Sequence, residues 1–190
     1  MQVRQITSEQ HLAYIAQRNS VSFLQTPAWG KTKSGWISQS LGWFVGEELV
    51  GAALMLLRKV PKVEKYLAYV PEGPDLNWDN AKDTEMALSA LVNFVKARGV
   101  FQLKMGPHTW VRRWNAQSLK DAIALGAAKT ISEVIPDEIN STGINLLKQL
   151  PDLGWRQRKA EVSGFGDFQP RYVFQIALDG KSEEQIFEGF

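Results

Sequence analysis

The residues best suited to chemistry are a lysine and the tryptophans around it. Thr26 followed by Pro27 predicts a helix start, because a proline at the first helical position gives up no hydrogen bond there. On that helix Trp29 and Lys33 are four residues apart and share one face, and Trp36 lies three residues further on. The spacing places an ammonium among indole rings, which suits a phosphate with a stacked base or sugar beside it. A solvated lysine above two core tryptophans is the alternative.

A second candidate is the rigid turn at residues 69–74, in which a proline lies on each side of Gly73. Tyr69 begins this turn and Asp75 follows it, so the two side chains could shape a substrate cleft, with Asp75 offering a carboxylate. Glu72, inside the turn, would repel a diphosphate and is given no binding role. The alternative is a loop that only ends the sheet.

Cations and aromatic rings alternate in one further stretch of the chain. Lys104, His108, Arg112 and Arg113 are interleaved with Trp110 and Trp114. Stacking surfaces beside cations suit the end of a single-stranded nucleic acid, such as the acceptor end of tRNA. The alternative is a solvated loop held by its two tryptophans.

Composition narrows the classes of function. The chain has 190 residues, no cysteine, 22 basic and 20 acidic side chains, and a formal charge of +2. The lack of cysteine excludes disulfides, thiolate metal sites and a cysteine nucleophile, and it fits a reducing compartment. The balanced charge argues against a surface that tracks nucleic acid throughout, and no DNA partner is expected. The two histidines, His11 and His108, lie in no metal-ligand or Ser/His/Asp spacing, so neither a metal site nor a cofactor is predicted.

The chain has no apolar run near the roughly 18 to 20 residues that a membrane helix needs. Its longest apolar run, Leu49 to Leu57, has the size of a strand and is interrupted by Gly51. The first residues lack the apolar core and cleavage site of a signal peptide. These features predict a cytoplasmic protein without a transmembrane segment.

Hydrophobic periodicity predicts a mixed α/β architecture with an antiparallel front half. The predicted elements are, in order, a strand at 3–6, helices from 8 and from 26, antiparallel strands at 43–46, 49–57 and 66–70, a helix at 80–98, a strand at 100–105, a helix at 118–125, an extended segment at 128–134, a helix at 140–151 and a strand at 155–159. The apolar side of the first helix is predicted to be Leu12, Ile15 and Ala16, and Ser118 is predicted to cap the helix at 118–125.

The last residues repeat the pattern of the first. The segment 172–178 is predicted to be a strand, and residues 182–185 form a capping box in which Ser182 and Gln185 each satisfy a backbone N–H group at the start of a helix. This strand and helix echo residues 2–16, as though a second copy of the same unit were beginning.

Three separated stretches resemble the Fem family of non-ribosomal peptidyltransferases (FemA, FemB and FemX). They are Ser22–Lys33 (SFLQTPAWGKTK), Tyr69–Pro74 (YVPEGP) and Pro170–Phe174 (PRYVF), the last leading to Leu178-Asp179 and Ser182-Glu183-Glu184. The resemblance covers the N-terminal portion of a family member and implies GNAT-like domains, each with a mainly antiparallel central sheet flanked by helices. Residues 1–168 are therefore expected to form one GNAT-like domain, and 169–190 the first strand and helix of a truncated second one.

The resemblance also implies an activity. Family members transfer an amino acid from aminoacyl-tRNA to a peptidoglycan precursor, UDP-MurNAc-pentapeptide or a lipid-linked form, in interpeptide-bridge synthesis. Lys33 would hold the diphosphate of the precursor. The residues expected to bind the precursor are Lys33, Trp29, Trp36, Tyr69 and Asp75, and those expected to bind tRNA are Lys104, Arg112, Arg113 and Trp110. Catalytic residues stay unassigned, because the family places them mainly in the second domain, so that this chain would carry mainly the precursor-binding half.

Two other functions stay open. A GNAT-like order also suits an N-acetyltransferase that uses acetyl-coenzyme A, and its pyrophosphate loop has one near match at 161–166 (EVSGFG). That match begins with an acid and precedes a predicted strand, and both features are unfavourable for binding a diphosphate. The other possibility is a non-catalytic domain that recognises a cell-wall precursor or docks on a partner.

Overall fold

The structure is a computed structural model that describes residues 1–158, 170 and 172–188. Contacts divide the chain into two units, Met1–Gln157 and Arg158–Phe190. All strands and all helices but the last belong to the first unit. The expected domain boundary between residues 168 and 169 stays a prediction.

A five-stranded sheet forms the centre of the first unit. Its strands lie in chain order: β1 (Gln2–Ile6), β2 (Ile37–Val45), β3 (Glu48–Lys59), β4 (Tyr66–Val70) and β5 (Val100–Met105). Neighbouring strands are antiparallel except β4 and β5, which are parallel. A parallel pair needs a long crossover, and the helix between β4 and β5 supplies it.

Six helices and a short ribbon complete the described fold. The helices are α1 (Ser8–Ile15), α2 (Pro27–Thr32), α3 (Ala81–Lys96), α4 (Ala116–Ala124), α5 (Ser141–Asp152) and, in the second unit, α6 (Glu183–Phe187). The ribbon pairs β6 (Arg112–Arg113) with β7 (Glu138–Ile139). Single 3₁₀ turns occupy Phe23–Gln25 and Ile131–Glu133.

The main core lies between the sheet and α3. Trp43 is fully buried there, and its indole N–H donates to the carbonyl of Ala87 at 3.0 Å, so the largest core side chain leaves no polar atom unpaired. Leu91 and Met55 are equally buried in the same cluster. A smaller cluster under α1 covers the opposite face of the sheet. Residues 51–57 of β3 are all buried, as expected for a strand covered on both faces.

The predicted mixed α/β fold with a mainly antiparallel central sheet flanked by helices is confirmed. The boundaries predicted for β4 and β5 agree with the structure. Helices α2 and α5 begin where they were predicted to begin, and their N-caps are Thr26 and Asn140. The capping box of α6 also forms, with Ser182 and Gln185 as its two members.

The predicted apolar side of α1 is wrong. Leu12 and Ala16 are exposed and Ile15 is half-buried, whereas His11 and Tyr14 face the sheet. The two inward rings each make a hydrogen bond to the strands beneath them, and these bonds fix the rotation of the helix. A polar side chain that makes a hydrogen bond can thus be buried while a nearby aliphatic side chain stays exposed.

Two predictions between 115 and 134 are also wrong. Asn115 is the N-cap of α4, and Ser118 lies inside the helix. Asp137 explains the shift, because its carboxylate accepts from the Asn115 N–H and from the Ser118 hydroxyl, both at 2.7 Å. These hydrogen bonds lower the pKa of Asp137, the backbone one most. The segment 128–134 contains a 3₁₀ turn at Ile131–Glu133 instead of being extended.

Two predicted strands do not form in the residues described. Residues 155–158 and 172–178 have no strand pairing. A strand requires a neighbouring strand to pair with, and neither segment pairs with a strand among the described residues. Lys159 and the near match at 161–166 lie outside the described residues. No helix in the described part of the chain is long and apolar enough to cross a membrane.

Candidate functional site

The Lys33 ammonium lies 3.8 Å from the centroid of the Trp29 ring. Phe23 braces that ring from the side, with centroids 5.3 Å apart and planes nearly perpendicular. The cation is therefore held on an aromatic face whose own position is fixed by an edge-to-face contact. Within the residues described, no carboxylate forms an ion pair with Lys33.

Trp36 does not share a helix with this pair, contrary to the predicted geometry. Helix α2 ends at Thr32, and Lys33 is its C-terminal cap. The chain then turns, with Gly35 at a φ of +78° that favours glycine, and the Trp36 N–H donates to the Lys33 carbonyl at 3.2 Å. The Trp36 ring faces the guanidinium of Arg58, 5.8 Å from its centroid. Arg58 was not among the predicted residues, although it follows the apolar run of β3 directly.

Gln25 positions the start of α2 against the sheet. Its side chain is almost fully buried, accepts from the Leu54 N–H at 2.9 Å and donates to the carbonyl of Pro71. A Cβ at Gly73 would overlap the Gln25 amide, so a larger residue there would force that amide to move. Gln25 thus ties the first resembling stretch to the second, a contact that neither stretch reveals alone.

A small cleft of about 90 Å³ lies beyond the carboxyl ends of the parallel strands β4 and β5. This is the edge at which open α/β sheets usually bind ligands. Glu72 and Asp75 line it, together with His108. Glu72 has a φ of +44° and accepts a hydrogen bond from the Ser22 hydroxyl, which holds its carboxylate at the cleft.

The Asp75 carboxylate is an ion-pair partner of Arg18, whose Nε lies 3.0 Å from Oδ2. The backbone of Asp75 forms an isolated antiparallel bridge to Ala52, with N···O distances of 2.9 and 3.1 Å. Arg18 is in turn held over the ring of Tyr14. Asp75 therefore lines the cleft with its carboxylate already paired to a cation.

Tyr69 lies on β4 between Leu56 of β3 and Lys104 of β5. Partial burial raises the pKa of the Tyr69 hydroxyl, and the nearby Glu72 carboxylate raises it further. Tyr69 is thus a neutral hydroxyl at ordinary pH. Lys104 is half-buried on the edge strand.

The ribbon brings part of the predicted tRNA-binding set together. The Arg113 guanidinium lies 4.5 Å from the Trp110 ring centroid and 3.0 Å from a Glu138 carboxylate oxygen. Arg112 is exposed, and neighbouring strand residues point to opposite faces, so Arg112 and Arg113 serve different surfaces. Trp114 is anchored by its indole N–H to the carbonyl of Val134 at 2.9 Å.

The predicted precursor-binding residues fall into two groups. Lys33, Trp29 and Trp36 lie together at the C-terminal end of α2, while Asp75 lies at the cleft and Tyr69 on the adjoining strand. A wider hollow of about 320 Å³ between the start of α3 and α5 is lined by other residues, among them Trp78, Asp79 and Lys148. Lys33 lines neither hollow. No group of three or more histidine, aspartate or glutamate side chains in the described chain could hold a metal ion.

Comparison with known proteins identifies a family. The model of the FemAB family matches residues 6–190. A lipid II:glycine glycyltransferase of Staphylococcus haemolyticus is 26% identical over 195 residues, which cover all of this chain and 39% of that protein. The lipid II:glycine glycyltransferase of Staphylococcus saprophyticus is 30% identical over 128 residues, covering 66% of this chain and 31% of that protein.

A solved structure agrees with the sequence comparisons. The crystal structure of FemX superposes with a TM-score of 0.51 and 26% identity, over 66% of this chain and 32% of that one. The chain thus spans between about a third and two fifths of the length of these relatives.

Proposed function

The chain belongs to the FemAB family, and we propose on that premise that it takes part in transferring an amino acid from aminoacyl-tRNA to a peptidoglycan precursor. The relatives named lipid II:glycine glycyltransferase support a lipid-linked precursor as acceptor. Because the chain spans only part of those relatives, its proposed share of the work is to bind the precursor.

The observation that carries this proposal is the Lys33–Trp29 pair. A diphosphate needs a cation that is not already neutralised, and Lys33 has no carboxylate partner among the residues described. The Trp29 face limits the positions of the ammonium before the ligand arrives, which lowers the entropy lost on binding. Arg58 and Trp36 beside it supply a second cation and a ring.

Aminoacyl transfer makes modest demands on the protein. The acceptor amine attacks the ester carbonyl of aminoacyl-tRNA, the new C–N bond forms, the ester C–O bond breaks, and the amine proton leaves as the tRNA hydroxyl is released. The ester is already activated, so alignment and stabilisation of the oxyanion are the main requirements. This suits a chain without a cysteine nucleophile.

For the donor, we propose that the ribbon contacts the acceptor end of tRNA. Trp110 is 40% exposed and can stack on a base, and Arg112 is exposed beside it. Arg113 is shared with Glu138 and contributes less charge. Lys104 lies on β5 and not on the ribbon, and it would bind only if that strand also approaches the RNA.

Titration calorimetry with UDP-MurNAc-pentapeptide tests the precursor site. We expect Lys33→Ala to weaken binding by about 1 to 3 kcal/mol, the value of a charge-assisted hydrogen bond to phosphate. Lys31→Ala is the matched control, because it removes the same charge from an exposed position in the same helix. Its effect should be small.

Equal losses for the two variants would mean that general charge, and not the Trp29-bound lysine, attracts the ligand. Unchanged affinity of Lys33→Ala in a folded protein would remove Lys33 from the site. A parallel titration with acetyl-coenzyme A separates the acetyltransferase alternative, since heat with that ligand alone contradicts the proposal. No heat with either ligand would favour a structural fragment that binds neither of them.

A further inference from the structure

One end of the central sheet carries a concentration of positive charge. Three segments meet there, 31–37, 57–66 and 96–100, and together they hold eight of the 22 basic side chains of the protein but one of its 20 acidic ones. The remainder of the chain has more acidic than basic side chains. We call these three segments the basic end; its cations are Lys31, Lys33, Arg58, Lys59, Lys62, Lys65, Lys96 and Arg98.

Backbone contacts hold the three segments side by side. Ile37 of β2 pairs with Leu57 of β3, which places the turn after α2 beside the end of β3. The Val60 N–H donates to the Lys65 carbonyl at 2.9 Å and closes the β3–β4 turn. The Tyr66 N–H donates to the carbonyl of Gly99 at 3.1 Å, which joins that turn to the connection between α3 and β5.

Most of this charge is not neutralised within the fold. Glu64 is the acid of the basic end, and it pairs with Lys59 at 2.6 Å. In the described chain no carboxylate forms an ion pair with Lys62 or Lys65, and both side chains are exposed. Like charges concentrated at one end of a sheet repel one another, so an external anionic surface would lower their energy.

Apolar side chains lie among the cations. Val63, between Lys62 and Lys65 in the β3–β4 turn, is 48% exposed, and Ile37 is 51% exposed. Trp36, which precedes Ile37 in the chain, is half-buried. Lysines around a few exposed apolar residues are typical of a surface that rests in the headgroup layer of a bilayer.

We propose that the basic end docks on the anionic headgroups of a phospholipid bilayer. The exposed lysines of the β3–β4 turn would contact the headgroups while Val63 and Ile37 enter the interfacial layer. An RNA would instead require open aromatic faces for stacking, and the Trp36 ring at this end already faces Arg58. The inference extends the proposed function: a lipid-linked precursor presents its diphosphate at the membrane surface, and Lys33 belongs to the same end of the sheet.

Vesicle co-sedimentation of the whole chain tests this docking. Binding is expected to vesicles that mix phosphatidylcholine with phosphatidylglycerol and to be weak with phosphatidylcholine alone. Lys62→Glu with Lys65→Glu should lower the partition coefficient on anionic vesicles at least about twentyfold, since each surface lysine accounts for a factor of about five. Val63→Ser should give a smaller loss.

The matched control is Lys120→Glu with Lys129→Glu, which changes the net charge equally at exposed positions outside the basic end. It should keep most of the vesicle binding. Lys62→Gln with Lys65→Gln provides a neutral version, and thermal melting checks the fold of each variant.

Equal losses for the two Glu pairs, or no binding of the unaltered chain to anionic vesicles, would overturn the proposal. So would loss of tRNA binding in the Lys62/Lys65 pair with vesicle binding unchanged.

The soluble precursor separates this proposal from the proposed function. UDP-MurNAc-pentapeptide binds without a membrane, so the Lys62/Lys65 variants should titrate like the unaltered chain, whereas Lys33→Ala should not. Binding to vesicles that contain no precursor does not depend on any transferase activity. Failure of one measurement therefore leaves the other standing.

Discussion

At the scale of single residues, His11 is a titratable group that the fold removes from water. It is fully buried, its Nδ1 lies 2.9 Å from the Ser40 hydroxyl, and its Nε2 has no hydrogen-bond partner in the described chain. Burial lowers the pKa of His11 to about 4, because the imidazolium would lose its hydration without gaining a counter-charge. The ring is therefore neutral in the folded protein at ordinary pH.

This burial predicts acid sensitivity. The unfolded chain binds a proton at His11 below its ordinary pKa of about 6.5, and the folded chain does so only near 4, so stability is lost as the pH falls through that window. Between about pH 7 and about pH 5, His11 should lower the free energy of unfolding by about 2 kcal/mol.

Urea unfolding at the two pH values measures this loss. The His11→Gln variant should lack that part of the pH dependence, whereas the exposed His108→Gln should retain it. An imidazole NMR titration of His11 with an ordinary pKa would contradict the prediction.

At the scale of elements, α5 illustrates how close packing restricts the residue type at one position of a helix. Gly143 is buried within α5, and a Cβ there would overlap the carbonyl oxygen of Trp110. The Asn140 amide also donates to that oxygen at 2.9 Å. The start of α5 thus lies directly against the backbone that leads into β6, and it supports the ribbon proposed to meet tRNA.

We expect Gly143→Ala to destabilise the protein by about 1 to 3 kcal/mol, the usual cost of overpacking. At an exposed helical position the same substitution would stabilise the protein, because alanine is favoured over glycine there by up to about 1 kcal/mol. Asn145→Ala, at an exposed position of the same helix, is the control and should be neutral or stabilising. A stabilised Gly143→Ala in urea unfolding would show that the close approach does not persist in solution.

At the scale of the whole molecule, the buried core of the described residues lies within the first unit. Every buried hydrophobic side chain in the described part of the chain lies between Val3 and Leu146. Both core clusters fall inside Met1–Gln157. The second unit contributes α6 and several exposed apolar residues, among them Phe174 and Phe187.

A chain ended after Gln157 should therefore fold cooperatively. We expect its free energy of unfolding to lie within about 1 kcal/mol of that of the whole chain, because hydrophobic burial is the main stabilising term and no buried hydrophobic side chain among the described residues is removed. Denaturant unfolding followed by circular dichroism and by tryptophan fluorescence would measure it. A non-cooperative transition, or a much larger loss, would show that the first unit depends on residues after 157.

Local patterns in the sequence determined the type and order of most elements. The caps Thr26, Asn140 and Ser182 and the bounds of β4 and β5 follow from short-range chemistry, in which a residue acts on backbone groups within a turn of itself. The Lys33–Trp29 contact is also local, four residues apart, and it survives although the helix ends before Lys33. The FemAB family was recognisable from short stretches for the same reason.

Tertiary structure alone decided the contacts between distant residues. Gln25 bonded to Leu54 and Pro71, Asp137 bonded to Asn115, and Arg58 against Trp36 each join segments about 20 or more positions apart. It also decided that His11 and not Leu12 faces the sheet, and that cations from three turns converge on one end. Such choices depend on which surfaces meet when the core closes, and periodicity within one segment carries no information about its partner.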